Sequence, residues 1–218
     1  HMWHPGADYK AEKRGTVNVT IQNSISAKAL DTYNHSFGST LGGENCSFMR
    51  NLWASNTGRN PSIGWNGVFN FVNNVVYNWV HRSSDGGDYT AMFNMINNYY
   101  KAGPGTTNKT RVTLVSKSDS GNGGDNPFPN YTSRYYINGN YVTAAGSNAA
   151  NYDWKGVVYD SGIPTVNGER CMEDQNNYYG EGKGYVKIKL TEPIDAGEIT
   201  THNAEIAYMK VMQYAGAS

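Results

Sequence analysis

Residues 70–78 read NFVNNVVYN, and residues 94–102 read NMINNYYKA. Asn is a poor strand former and is costly to bury, so its return at the same place inside an apolar run needs a structural reason. The pattern is wider than two copies. An apolar–x–Asn–x–apolar core occurs at Ile21–Ile25, Met49–Trp53, Val72–Val76 and Ile96–Tyr100. Tyr135–Val142 is a looser fifth copy, with Asn140 in the Asn position. The first four asparagines, Asn23, Asn51, Asn74 and Asn98, are 28, 23 and 24 residues apart.

A repeat of this length with one short strand per copy indicates a stacked solenoid. Propeller blades need about 40 residues and four strands each, which is too long for this period. In a parallel β-helix, successive coils stack directly and equivalent side chains lie above one another. A column of Asn23, Asn51, Asn74 and Asn98 would let each amide serve its neighbour, so that burial leaves no polar group unsatisfied. The alternative is a set of Asn-rich turns between ordinary antiparallel strands.

Composition agrees with an all-β chain. The 218 residues include 25 Gly and 17 Tyr, and only 17% are charged, a mixture unlike that of helical bundles. Lys plus Arg and Asp plus Glu balance at 18 each. There is thus no global field to recruit a nucleic acid or an anionic membrane, and neither is expected as a partner. No apolar run reaches the roughly 18–20 residues of a membrane-spanning helix. The opening His1-Met2 reads as a cloning scar, so a native leader is expected to have been removed. Cys46 and Cys171 lack metal-ligand spacing and are either two buried thiols or a disulfide. Near the end, Thr200-Thr201 with Glu205 reads as a helix cap, Ile206, Met209 and Met212 share one helical face, and Gly216 supplies a stop. Residues 103–180, notably 118–129, are rich in Gly, Ser, Asn and Pro, as expected for long loops framing a cleft.

Four stretches follow one another in order: Asn34-His-Ser-Phe-Gly-Ser-Thr-Leu-Gly-Gly43, Phe48-Met-Arg-Asn-Leu-Trp-Ala-Ser-Asn-Thr-Gly-Arg-Asn-Pro61, Asn73-Asn-Val-Val-Tyr-Asn-Trp79 and Asn97-Asn-Tyr-Tyr-Lys-Ala-Gly-Pro104. Over residues 17–105 this resembles the pectate lyases of polysaccharide lyase family 1, in particular a Bacteroidetes-like branch. The likeness recurs at 199–218. It implies a right-handed parallel β-helix with long loops and a short C-terminal helix, forming a single domain over 1–218. It also implies the C-terminal portion of a longer lyase trimmed at both ends, with exposed coil ends open to self-association. A secreted, periplasmic or cell-surface location is implied too.

The implied chemistry is β-elimination on polygalacturonate (pectate): a base takes the proton α to a uronate carboxylate, and the glycosidic oxygen leaves from the next carbon. Ca2+ bridging that carboxylate to protein acids would neutralise the developing charge. The family's Arg-x-Pro-Arg motif appears here as Arg59-Asn60-Pro61-Ser62, so the resemblance gives Arg59 the role of base. Guanidinium normally holds its proton above pH ~12, so that role needs cations nearby; otherwise Arg59 is an ordinary turn arginine. Ser62 departs from the motif, since a hydroxyl cannot replace a bidentate carboxylate clamp. Arg50 and Arg82 are the candidate replacements. His35 stands near the place of a family Lys, where it either binds substrate or packs in a turn. Asp8 and Glu12 match the offset and spacing of a family calcium pair, but equally form part of a solvated charged terminus.

Two other readings of the chain stand beside the lyase. One is a carbohydrate-binding β-helix without activity, in which Trp53, Trp65, Tyr99 and Tyr100 stack on sugars instead of filling the core. The other is a structural solenoid that shares only the scaffold.

Overall fold

A computed structural model describes residues 16–64, 67–87, 90–118, 131–175 and 177–216. Three parallel sheets are built from coils that each contribute one strand to each sheet. The first sheet takes β1 (Thr20–Gln22), β4 (Cys46–Met49), β7 (Val68–Val72), β10 (Met92–Ile96) and β13 (Arg134–Asn138) in that order. The second takes β2 (Ile25–Ala27), β5 (Leu52–Ala54), β8 (Val75–Tyr77), β11 (Tyr99–Lys101) and β14 (Tyr141–Val142). The third holds β3 (Thr40–Leu41), β6 (Ser62–Ile63) and β9 (Asp85–Gly86). It is continued through a Ser84–Thr113 bridge by β12 (Thr113–Val115), which pairs with β15 (Val157–Tyr159). An antiparallel appendage of β16 (Thr165–Val166), β17 (Glu169–Glu173) and β18 (Tyr185–Lys187) follows. The expected parallel β-solenoid is therefore present.

The core is the inside of the coil. Phe48, Phe69, Phe93 and Tyr135 come from successive strands of the first sheet and form a continuous run of ring contacts. Trp53 and Tyr100, suggested as sugar platforms, lie in this core at 4% and 0% exposure. Cys46 and Cys171 are buried free thiols, so no disulfide joins them.

The paired asparagines mark a two-residue turn between the first two sheets. The first turn residue is Asn23, Arg50, Asn73, Asn97 or Gly139, and every one has positive φ. Asn is among the few side chains that tolerate this region, and at Gly139 a Cβ would run into the Asn97 amide. The second turn residue points inward. Asn51 Oδ1 accepts from Ser24 N (2.9 Å), Asn74 Oδ1 from Asn51 N (3.0 Å), Asn98 Oδ1 from Asn74 N (2.9 Å), and Asn140 Oδ1 from Asn98 N (2.9 Å). Their Nδ2 groups donate to the carbonyls of Ile21, Phe48, Phe71 and Met95. Asp153 closes the column by accepting from Gly139 N and from both donors of Asn140.

The column thus runs Ser24, Asn51, Asn74, Asn98, Asn140, which corrects the expected membership of Asn23. β1 ends at Gln22, so Asn23 takes the left-handed position and the exposed Ser24 the one in register with Asn51. The asparagines also sit at a corner between two strands, not within one.

Asn70, Asn73 and Asn94 of the opening phrases face outward. Asn94 exchanges hydrogen bonds with Ile194 N and O, Asn70 donates to Ala196 O, and Asn73 pairs with His202 N and O. They fasten the C-terminal segment across the first sheet. The segment ends in α1 (Ala204–Tyr214), which lies against the second sheet, with Tyr208 stacked on Tyr99. Its cap is Asn203, which accepts from Ile206 N, and not Thr200-Thr201. Its buried side carries Ala204, Ala207 and Val211, while Ile206, Met209 and Met212 are exposed. The bulky residues come from the sheet, so the helix supplies small ones. Among the described residues, no helix is long and apolar enough to cross a membrane.

Candidate active site

The loops leading into the third sheet place the candidate residues. Asn56 and Asn60, both buried, brace the loop between β5 and β6: Asn56 donates to Asn60 Oδ1 (2.9 Å) and to Ser26 O, and Asn60 donates to Arg82 O. Arg59 stands between them with φ of 54°, a conformation a non-glycine residue adopts only when its surroundings impose it. Gly38 packs against this loop, and a Cβ there would lie 2.8 Å from both Arg59 O and Asn60 Oδ1.

The Arg59 guanidinium lies over the Phe37 ring at 4.4 Å, and the Arg82 guanidinium approaches the same ring at 5.6 Å. Among the described residues, Arg59 makes no side-chain hydrogen bond and no ion pair. Its N–H groups are free to meet an anion while the ring holds its plane. His35 rests on the other part of this platform, 4.8 Å from Phe37, with Nδ1 2.9 Å from Tyr33 O.

Beside this pair the outer face of the third sheet aligns Thr40, Ser62 and Asp85 in register. Asp85 is 3% exposed and lies 2.9 Å from Arg82 Nη1, off the line of a hydrogen bond. Burial pushes its carboxyl above the usual range, against the pull of Arg82, the Ser62 hydroxyl, Arg59 and His81. Arg82 also donates from Nε to His81 Nδ1 at 3.2 Å. Burial, then Arg82, lowers His81, and the same two causes lower Arg111. Three arginines, one imidazole and one buried carboxylate therefore share a face with a surplus of positive charge.

The structure brings together Arg59, Arg82 and His35 among the residues picked out from sequence. Arg50 is elsewhere, in the left-handed position between the first two sheets, with Nη2 3.9 Å from Met49 Sδ. Asp8, Glu12 and Trp65 lie outside the described residues. Among the described residues no group of three His, Cys, Asp or Glu could hold a metal. The carboxylate at this face, Asp85, is committed to Arg82, so these side chains do not fit a calcium site. Phe37, Asp85 and Arg111 were missed. Arg82 and Asp85 follow Arg59 and Ser62 by one coil period, which was a usable signal.

Fold and site define a class: a parallel β-helix with a cationic outer face suited to an acidic ligand. Similarity to known proteins narrows it. The chain is 32% identical over 200 residues to a probable pectate lyase C of Aspergillus terreus, covering 84% of this chain and 43% of that protein. It is 34% identical over 208 residues to a probable pectate lyase C of Aspergillus flavus, covering 92% and 39% respectively. A protein of the same name from Aspergillus fumigatus is 43% identical over 100 residues, 41% of this chain and 21% of its own. The chain thus spans about two fifths of the length of the first two relatives. No protein-family profile matches it. The similarities support a pectate lyase family.

Proposed function

We propose that this chain carries the cationic face of a polysaccharide lyase acting on polygalacturonate by β-elimination. The observation behind the reading is the pair of guanidiniums, Arg59 and Arg82, on one aromatic ring, with Arg59 unpaired. Uronate carboxylates are the anions such a pair would select. In this reading Arg82, oriented by Asp85, takes the place of the clamp that Ser62 cannot provide. In its neutral, deprotonated form Arg59 faces the α-carbon and receives its proton as the double bond forms, the glycosidic oxygen leaves from the next carbon and takes a proton from solvent, and Phe37 keeps the guanidine plane fixed. His35, at the rim, hydrogen-bonds a neighbouring sugar.

The calcium expected from the resemblance would depend on Asp8 and Glu12, and no step here is routed through it. Action outside the membrane, where pectin occurs, belongs to the same proposal.

The test is ultraviolet absorbance of unsaturated uronate on polygalacturonate, with and without calcium, using a neutral glucan as control. Absorbance that grows only on polygalacturonate is expected. No product under any condition, with binding retained, would favour the second reading, a carbohydrate-binding β-helix without activity. Ser62 in the motif and the Asp85 counter-charge beside the clamp position are the observations that favour it.

A further inference from the structure

Arg59, Arg82 and Arg111 occupy equivalent places on three successive coils. Ser62 pairs with Asp85, and counting back three residues aligns Arg59 with Arg82. Ser84 pairs with Thr113, and counting back two aligns Arg82 with Arg111. Ser83 Oγ ties the rungs by donating to Arg111 O at 2.7 Å. The three backbone positions therefore step along the solenoid at about one strand spacing, roughly 4.8 Å per coil.

The third member is left incomplete by its own surroundings. Arg111 donates from Nη1 to His81 O at 3.3 Å, but its Nε is buried without a partner. Among the described residues it makes no ion pair, and the one buried acid nearby, Asp85, is engaged by Arg82. A half-buried guanidinium with one unpartnered N–H next to a like charge is completed by an anion.

We infer that Arg111 is a carboxylate-binding residue for the sugar adjoining the one held by Arg82. Arg111 is then the residue that reads the second of two adjoining free uronates. This rests on the reading of the site as one for polygalacturonate.

The test is calorimetric titration of oligogalacturonates from two to six sugars into the wild type and Arg111→Gln. The wild type should gain affinity at one step of lengthening. Arg111→Gln should lose that gain, about tenfold as expected for one charge-assisted contact, while binding the shortest ligand that the wild type holds equally well. Equal affinities at every length in the two proteins would overturn the inference. So would a uniform loss at every length, which would make Arg111 a structural brace of the His81 loop. Failure of the wild type to bind any oligogalacturonate would instead remove the proposed function itself, and this inference with it. A partly methyl-esterified oligomer adds a separate check, since only the wild type should discriminate against it at the lengthening step.

Discussion

Asn74→Leu gives the sharpest test of the inward column. Asn74 Oδ1 accepts from Asn51 N at 3.0 Å, and its Nδ2 donates to Phe48 O at 2.9 Å and to Asn98 Oδ1 at 3.1 Å. Asn98 Oδ1 keeps a second donor, Asn74 N, which the substitution does not remove. Asn51 N is thus left buried without an acceptor, at about 1–3 kcal/mol, while Phe48 O, a member of the β4–β7 ladder, loses one donor. Leucine recovers some apolar burial but is larger than the amide it replaces, and overpacking offsets that gain. The expected loss is about 1–3 kcal/mol, an appreciable part of the ~5–15 kcal/mol typical of a domain. Urea denaturation followed by circular dichroism measures it, with an unchanged m-value as the sign that the fold persists. Ser24→Ala is the matched control: Ser24 uses only its backbone N–H in the column, so a change within about 0.5 kcal/mol is expected. A loss below about 1 kcal/mol for Asn74→Leu, or equal losses for the two variants, would refute the reasoning.

Asp153→Ala removes the acceptor at the end of the column and should cost about 1–3 kcal/mol in the same assay. Arg59→Ala should abolish formation of unsaturated uronate while leaving the melting temperature nearly unchanged; retained turnover would exclude Arg59 as the base. Gly38→Ala should also lower turnover, because its Cβ needs the space that Arg59 O and Asn60 Oδ1 occupy; unchanged rates would mean the loop position does not matter. For Asp85 the sign follows from its raised folded pKa. Relative to the unfolded chain the protonated form is favoured, so that contribution is complete below about 3.8 and is lost as pH rises through the folded value. The stability of the wild type minus that of Asp85→Asn should therefore fall as pH rises above about 4, and a difference that grows with pH would contradict the burial argument.

The fold was legible because one corner repeats chemically. A residue tolerant of positive φ followed by an inward amide is written as Asn-Asn at 73–74 and 97–98, and those doublets fix the coil period. At Arg50-Asn51 and Gly139-Asn140 the inward amide alone was enough, but where that amide is missing the reading slipped by one residue. In the first coil the left-handed position holds Asn23 and the next one Ser24, and apolar phase alone cannot separate the two. The packed face of α1 was not legible, because an amphipathic pattern shows which residues are bulky, not which neighbour fills the gap. Here Tyr99 and Tyr141, stacked at 5.0 Å, already occupy the space beside α1. At the site, Arg59 came from its motif, but Phe37, Asp85 and Arg111 depend on which residues meet across coils. The Asn98-to-Asn140 interval is 42 residues, so simple counting from the earlier coils fails there.

That long interval has an evolutionary meaning. Each inward amide completes the backbone of the coil before it and asks nothing of the length of chain that leads to the next corner. Insertions between corners are therefore invisible to the scaffold, and selection can lengthen, shorten or exchange the outer loops one at a time. A solenoid of this kind can change which polymer it grips without relearning how to fold.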